Sequence, residues 1–200
     1  MTTDYYDYSQ FVNILSFVLS IGYRFKFATK AIEKRIVESN YFSNFLHDSK
    51  TSNLYKSDVE VAEEIYPELQ KDKIIFVSYN EIEWASMVYA YILDKTNLNF
   101  ETLFIYLPIQ QLYEMFPVYH EMDINKCLVY FEELRSVSII SKRMKALKIT
   151  NADLAKATNL STSSINFLRN KKIDIRKVGF QSAVNLAKAL RISTETLLNN

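Results

Sequence analysis

Glycine and proline are nearly missing from this chain. Two glycines and three prolines in 200 residues leave few places for sharp turns, which favours helices over a turn-rich architecture. Two glycines also leave nothing from which to build a glycine-rich phosphate loop. A single cysteine, Cys127, excludes an intrachain disulfide and suits a reducing compartment. The only histidines are His47 and His120, and with one cysteine they supply too little for a zinc site. His120-Glu121-Met122-Asp123 starts like a zinc-protease motif but has no second histidine four residues on. A packing or loop role is expected for His120.

Long apolar runs are missing too. The run from Phe11 to Tyr23 is about 13 residues and includes Asn13, Ser16 and Ser20, whereas a bilayer-spanning helix needs about 20 apolar residues. A buried helix is expected there, and no membrane partner. The stretch Thr2 to Ser9 is polar and carries Asp4 and Asp7, where a signal peptide would carry positive charge. A cytoplasmic location is the expectation.

What the chain does have is apolar mass and segregated charge. Apolar residues make up 48%, with 14 Tyr and 13 Phe, ample for a core. The net charge of +1 hides a division. Residues 135–200 carry 13 Lys/Arg against 3 Asp/Glu, while residues 1–134 carry 11 against 20. A basic C-terminal region is the electrostatic footprint of a nucleic-acid module. The acidic remainder is not expected to bind nucleic acid.

Residues 1–134 read as an aromatic-rich helical domain. Tyr23 to Leu46 has Phe27, Ala31, Ile32 and Ile36 near helical spacing. A polar loop at His47 to Asn53 marks a candidate sub-boundary near residues 47–57. Asp58 is placed as the cap of an acidic helix reaching Leu69, with Val59, Ala62, Ile65 and Tyr66 inward. Ile74 to Val77 is too short an apolar run to tell a buried strand from a helix lead-in. Asn80 to Leu93 is the strongest helix, with Asn80 as cap and Trp84, Val88, Tyr91 and Ile92 on one side. Two shorter helices, Phe100–Tyr106 and Ile109–Phe116, should follow, with Pro117 breaking the chain. Asp123 to Leu134 should turn Ile124, Cys127, Leu128 and Phe131 inward and lead into the next domain without a Gly/Pro/Ser linker. The tyrosines Tyr5, Tyr6, Tyr8, Tyr89, Tyr91, Tyr106, Tyr113 and Tyr119 leave two readings open, an aromatic core or a partner surface.

Residues 150 to 170 have the form of two short helices joined by a tight turn. Thr150 can cap the first, and Leu154 and Ala155 face inward. Asn159 suits the turn, because Asn tolerates positive φ. Ser161 is a good cap for the second helix. There Ile165 and Leu168 share one face while Thr162, Ser163, Asn166 and Phe167 point elsewhere. Upstream, Ile140, Met144 and Leu147 make an apolar stripe on a basic helix. Downstream runs Phe180-Gln181-Ser182-Ala183-Val184-Asn185-Leu186-Ala187-Lys188-Ala189-Leu190-Arg191-Ile192-Ser193, then Thr194 to Leu198.

From about Ser138 to Leu198 the chain resembles the Cro/C1 (XRE-type) helix-turn-helix family. The downstream stretch is similar to that family's "LAKALGVS" segment and short closing helix. Lys171 stands where the family usually has glycine, and the connection from Lys171 to Val178 is longer than in compact phage repressors. Phe167 holds a position often given to a polar base-contacting residue. The expected fold is mainly all-α: a helical domain over 1–134 and a five-helix lambda-repressor-like DNA-binding domain over 135–200.

The resemblance implies a sequence-specific transcriptional regulator, expected to be a repressor that binds double-stranded DNA as a homodimer. It places Thr162, Ser163 and Asn166 at base-facing positions and Asn151 at a phosphate-contacting one. Phe167 suits a thymine methyl. Arg143, Lys145, Lys171, Lys172, Arg176 and Lys177 are phosphate candidates on charge and position. Residues 1–134 are the candidate for pairing, for receiving a signal, or for binding a protein partner. That last role gives the alternative of an antitoxin-like autorepressor. No cofactor, metal or catalytic residue is expected. The pairs Glu63/Glu64, Glu81/Glu83 and Glu132/Glu133 are too close in sequence to converge on one site from a helix.

Overall fold

The computed structural model describes residues 5–39 (side chains from Tyr8), 41–42, 56–70, 74 and 77–199. The described residues form twelve α-helices, one 3-10 turn and no strand. Among them no helix is long and apolar enough to cross a membrane. The chain divides into two compact units, residues 1–130 and 131–200. That division lies inside helix α7 (Asn125–Leu134), ahead of the boundary expected at 134/135.

The N-terminal unit is built from α1 (Tyr5–Arg24), α2 (Thr29–Glu38), α3 (Asp58–Ile65), α4 (Asn80–Thr96), α5 (Phe100–Tyr106) and α6 (Ile109–Tyr119). Helix α4 is its axis. It packs on α1, α5 and α6, and buries Ile82, Trp84, Ala85, Val88, Tyr89 and Ile92. A helix buried on most sides has no polar face to reveal by periodicity. Helix α1 buries Leu15, Val18, Leu19 and Ile21 against α3 and α4.

Part of the aromatic wealth goes inside. Tyr41, Tyr66, Tyr89 and Tyr106 are fully buried. Tyr66 Oη donates to the Val18 carbonyl and Tyr89 Oη to the Leu107 carbonyl, both at 3.0 Å. For Tyr89 and Tyr106 the core reading holds, while Tyr8, Tyr91, Tyr113 and Tyr119 are half-buried. The side chains of Tyr5 and Tyr6 lie outside the described residues.

Several element ends differ from expectation. Residues 23–28 are not part of the second helix, because α1 runs on to Arg24 and is closed by a left-handed Lys26. Ser57, not Asp58, caps α3: its hydroxyl accepts from Glu60 N, and Glu60 returns to Ser57 N, a reciprocal capping box. Tyr79 rather than Asn80 is the cap residue of α4, without a side-chain bond. Pro117 does not break α6, which continues to Tyr119. A proline in the last turn forgoes one bond, and the His120 N–H still reaches the Phe116 carbonyl at 3.1 Å. Helix α7 begins at Asn125, two residues late. The loop at His47 to Asn53, and Ile75 and Phe76 of the short apolar run, lie outside the described residues.

The C-terminal unit contains α8 (Ile139–Leu147), α9 (Asn151–Thr158), α10 (Thr162–Arg169), a 3-10 turn (Ile175–Lys177), α11 (Phe180–Leu190) and α12 (Thr194–Leu198). Helix α9 packs on α10 and α11, and α8 packs on the same two. Ile139, Ile140, Met144, Leu154, Ile165, Leu168, Leu186 and Leu190 form the core. Ile139 and Thr158 are buried members that the apolar pattern did not pick out.

Candidate nucleic-acid interface

The site is a short helix held at both ends. At its start, Ser161 accepts from Ser164 N at 3.0 Å, satisfying one of the amides that a helix leaves open there. The turn before it needs a left-handed residue, and Asn159 supplies φ 57. One face of α10 is anchored by Ile165 and Leu168, both buried. The opposite face leaves Thr162, Ser163, Asn166 and Phe167 exposed together. Asn170 Nδ2 donates to Asn166 Oδ1 at 3.2 Å, which orients the Asn166 amide.

The far end of α10 is pinned by hydroxyls. Ser138 and Ser141, in the first turn of α8, both donate to the Arg169 carbonyl, at 2.6 and 3.3 Å. The Arg169 guanidinium reaches back to Asn151 Oδ1 at 2.6 Å, tying the end of α10 to the start of α9. Lys171 then closes α10 in the left-handed conformation, φ 52. Its N–H bonds the Leu168 carbonyl, and Lys172 N–H bonds the Phe167 carbonyl. That pair of bonds is a Schellman closure, where glycine is the easiest residue. The helix therefore stops without the glycine.

Helix α9 starts with a second capping box. Thr150 Oγ1 accepts from Asp153 N, and Asp153 accepts from both Thr150 N and Thr150 Oγ1. Those hydrogen bonds hold the exposed Asp153 carboxyl below its ordinary range. Helices α9 and α10 pack on one another, a pairing of the kind that can present a second helix to a major groove.

Residues 140–199 match the family model of the Cro/C1-type HTH DNA-binding domain. This C-terminal region is a Cro/C1-type helix-turn-helix domain. The chain thus carries the DNA-binding domain of a transcription regulator. Neither a curated protein nor a solved structure matches the chain.

Within the Cro/C1-type domain the phosphate candidates fall into three groups. Lys145, Lys172 and Lys177 are exposed. Asn151, Lys171 and Arg176 are exposed or half-buried but engaged within the chain. Asn151 holds Arg169, Lys171 Nζ donates to the Arg135 carbonyl at 2.7 Å, and Arg176 makes a forked contact with Asp174. Burial and the neighbouring Arg135 charge lower the Lys171 pKa. Arg143 stands apart. Its Nε donates to the Leu190 carbonyl at 3.0 Å and its Nη2 to the Arg191 carbonyl at 3.2 Å. It fastens α8 to the end of α11, so its charge serves a helix C-terminus.

Sequence reasoning missed three contributors: Ser138 and Ser141, which hold the end of α10, and Arg169, which joins α10 to α9. Ser138 carried a readable signal, since it is also the N-cap of α8. Phe180, the first residue of α11, is 77% exposed, an unusual setting for a phenyl ring.

Proposed function

We propose that this protein is a sequence-specific repressor that binds duplex DNA as a dimer through α9 and α10. One observation carries the reading: α10 buries Ile165 and Leu168 while presenting Thr162, Ser163, Asn166 and Phe167 on one exposed face. Hydroxyl and amide side chains there suit base edges, and a phenyl ring suits a thymine methyl. Lys145, Lys172 and Lys177 supply phosphate charge, with Asn151, Lys171 and Arg176 joining after exchange of their internal contacts. A single small module binds weakly, and a pair sets two such helices about 34 Å apart on successive grooves. The exposed Phe180 is a contact available for pairing. The acidic excess of residues 1–134 disfavours their lying on DNA and keeps the basic face as the one that docks.

The test is fluorescence anisotropy of the purified protein on its own upstream DNA and on random duplex, across a salt series. The expected result is tighter binding to one segment, with a log–log salt slope of about −4 to −9, as for about 5 to 10 phosphate contacts. Asn166→Ala should abolish the preference and leave the salt slope in place. Equal affinity for all duplexes would refute sequence-specific repression. It would favour the antitoxin-like reading, in which the acidic N-terminal unit holds a partner protein.

A further inference from the structure

The N-terminal unit contains a cleft of about 390 Å³ beside α1, flanked by the first residue of α3 and the first turns of α4. Its size falls within the range of small-molecule sites, about 300–1,000 Å³. Val12, Phe17 and Met87 give it an apolar side, and Asn13, Ser16, Asp58 and Glu83 give it a polar one. Met87 is exposed, and its unbranched thioether chain adapts to what it meets.

Two features point to a ligand. Ser16 is only 4% exposed, and its hydroxyl makes no hydrogen bond among the described residues. The oxygen is not sealed in, and Ser16 forms part of the cleft wall. Ser20 and Ser86, buried on α1 and α4, instead donate to the Phe17 and Ile82 carbonyls at 2.8 and 2.9 Å. That is the usual outlet for a helical serine, and a buried polar group left without one is costly. The second feature is charge. Other carboxylates of this unit, such as Glu33, Glu64 and Glu68, sit against Lys30, Lys56 and Arg35. Asp58 and Glu83 are half-buried and have no cation among the described residues. Asp58 accepts only from Val59 N, and Glu83 from the Ser78 hydroxyl. Two carboxylates fall short of the about six to eight oxygens that calcium takes, and the apolar side suits an organic cation.

We propose that this cleft binds a small primary alkylamine in its ammonium form. The N–H donors of the ammonium meet the Ser16 oxygen and the Asp58 and Glu83 carboxylates, and the alkyl chain lies along Val12, Phe17 and Met87. The site stands on the N-terminal unit alone and does not depend on the DNA-binding reading.

Amide chemical-shift titration of the full chain with pentylammonium chloride, and with neutral 1-pentanol at matched ionic strength, tests it. The shifts should centre on residues 12–17, 58 and 83–87. The ammonium should bind about 5-fold or more tighter than the alcohol, because charge-assisted hydrogen bonds are the stronger kind. Asp58→Asn should remove most of that preference while leaving alcohol binding unchanged. Ser16→Ala should weaken the ammonium about 3-fold or more. It should leave the melting temperature of the free protein unchanged or higher, since the hydroxyl has no protein partner to lose and alanine is the better helix former. No binding at millimolar ammonium, shifts centred elsewhere, equal affinity for the two probes, or full ammonium affinity in either variant would overturn the proposal. So would a lower melting temperature in Ser16→Ala, which would mean that the hydroxyl already has a partner.

Discussion

Among the described residues, six non-glycine residues hold positive φ, namely Lys26, Asn97, Lys148, Asn159, Lys171 and Arg191, whereas neither glycine does. Four of the six are basic residues just past a helix end, where a cation meets the open carbonyls and the negative end of the helix dipole. That attraction offsets part of the cost of a left-handed side chain, about 1 kcal/mol or more. Lys148→Gly should therefore stabilise the protein by about 0.5–1 kcal/mol, read as a higher urea midpoint. The glycine at 22 has a different task. A Cβ there would sit 2.6 Å from Ile32 Cδ1 and 2.7 Å from the Tyr66 hydroxyl, both buried side chains. Gly22→Ala should cost about 1–3 kcal/mol in thermal or urea unfolding, as overpacking does. Cys127 shows a third residue-level effect. It is fully buried, and burial pushes its thiol up to about 11. Iodoacetamide at pH 8 should leave the native protein unlabelled and react in urea.

At the scale of elements, two helices depend on side chains from far along the chain. Pro108 is the cap residue of α6 and offers no side-chain bond. The buried Glu33 carboxylate of α2 does so instead, accepting from Ile109 N at 2.9 Å, with Lys30 at 2.7 Å on its other oxygen. Glu33→Ala should cost about 2–3 kcal/mol of unfolding free energy, with Glu33→Gln recovering part of it. Helix α11 likewise ends on Arg143. Arg143→Ala should lower the melting temperature while leaving the salt slope of DNA binding unchanged. Lys172→Ala should do the reverse, reducing the slope by about 1. The local caps at Thr150 and Ser161 were readable because each acts within three residues. The caps of α3 and α4 were misplaced by one residue, because an acidic or amide side chain in the first turn resembles a cap in sequence.

At the scale of the whole molecule, the lowered carboxylates contribute to a loss of stability in acid. Hydrogen bonds from Thr150, Arg176 and Arg35 hold Asp153, Asp174 and Glu68 below their ordinary range. Such groups favour the folded state above the unfolded carboxylate pKa and lose that effect as pH falls through their lowered values. The urea midpoint should be flat from about pH 6 to 8 and fall below about pH 4. Thr150→Ala should make the acid slope shallower, since Asp153 then has less to lose.

The helix-turn-helix was legible in the residue order because its signals are local. A cap, a left-handed turn residue and two apolar positions three apart all lie within residues 150–170, and the charge division is a matter of counting. The all-helical class followed from the scarcity of glycine and proline. Contacts between distant residues were not legible. Arg143 meets Leu190 across 47 residues and Glu33 meets Ile109 across 76. The cleft beside α1 draws on residues 12–17, 58 and 83–87. Nothing in local spacing encodes such meetings, since helix packing brings those residues together. Folding likewise gives the Ser20 hydroxyl a carbonyl and leaves the Ser16 hydroxyl without one at the cleft, although the two residues are chemically the same and share a helix.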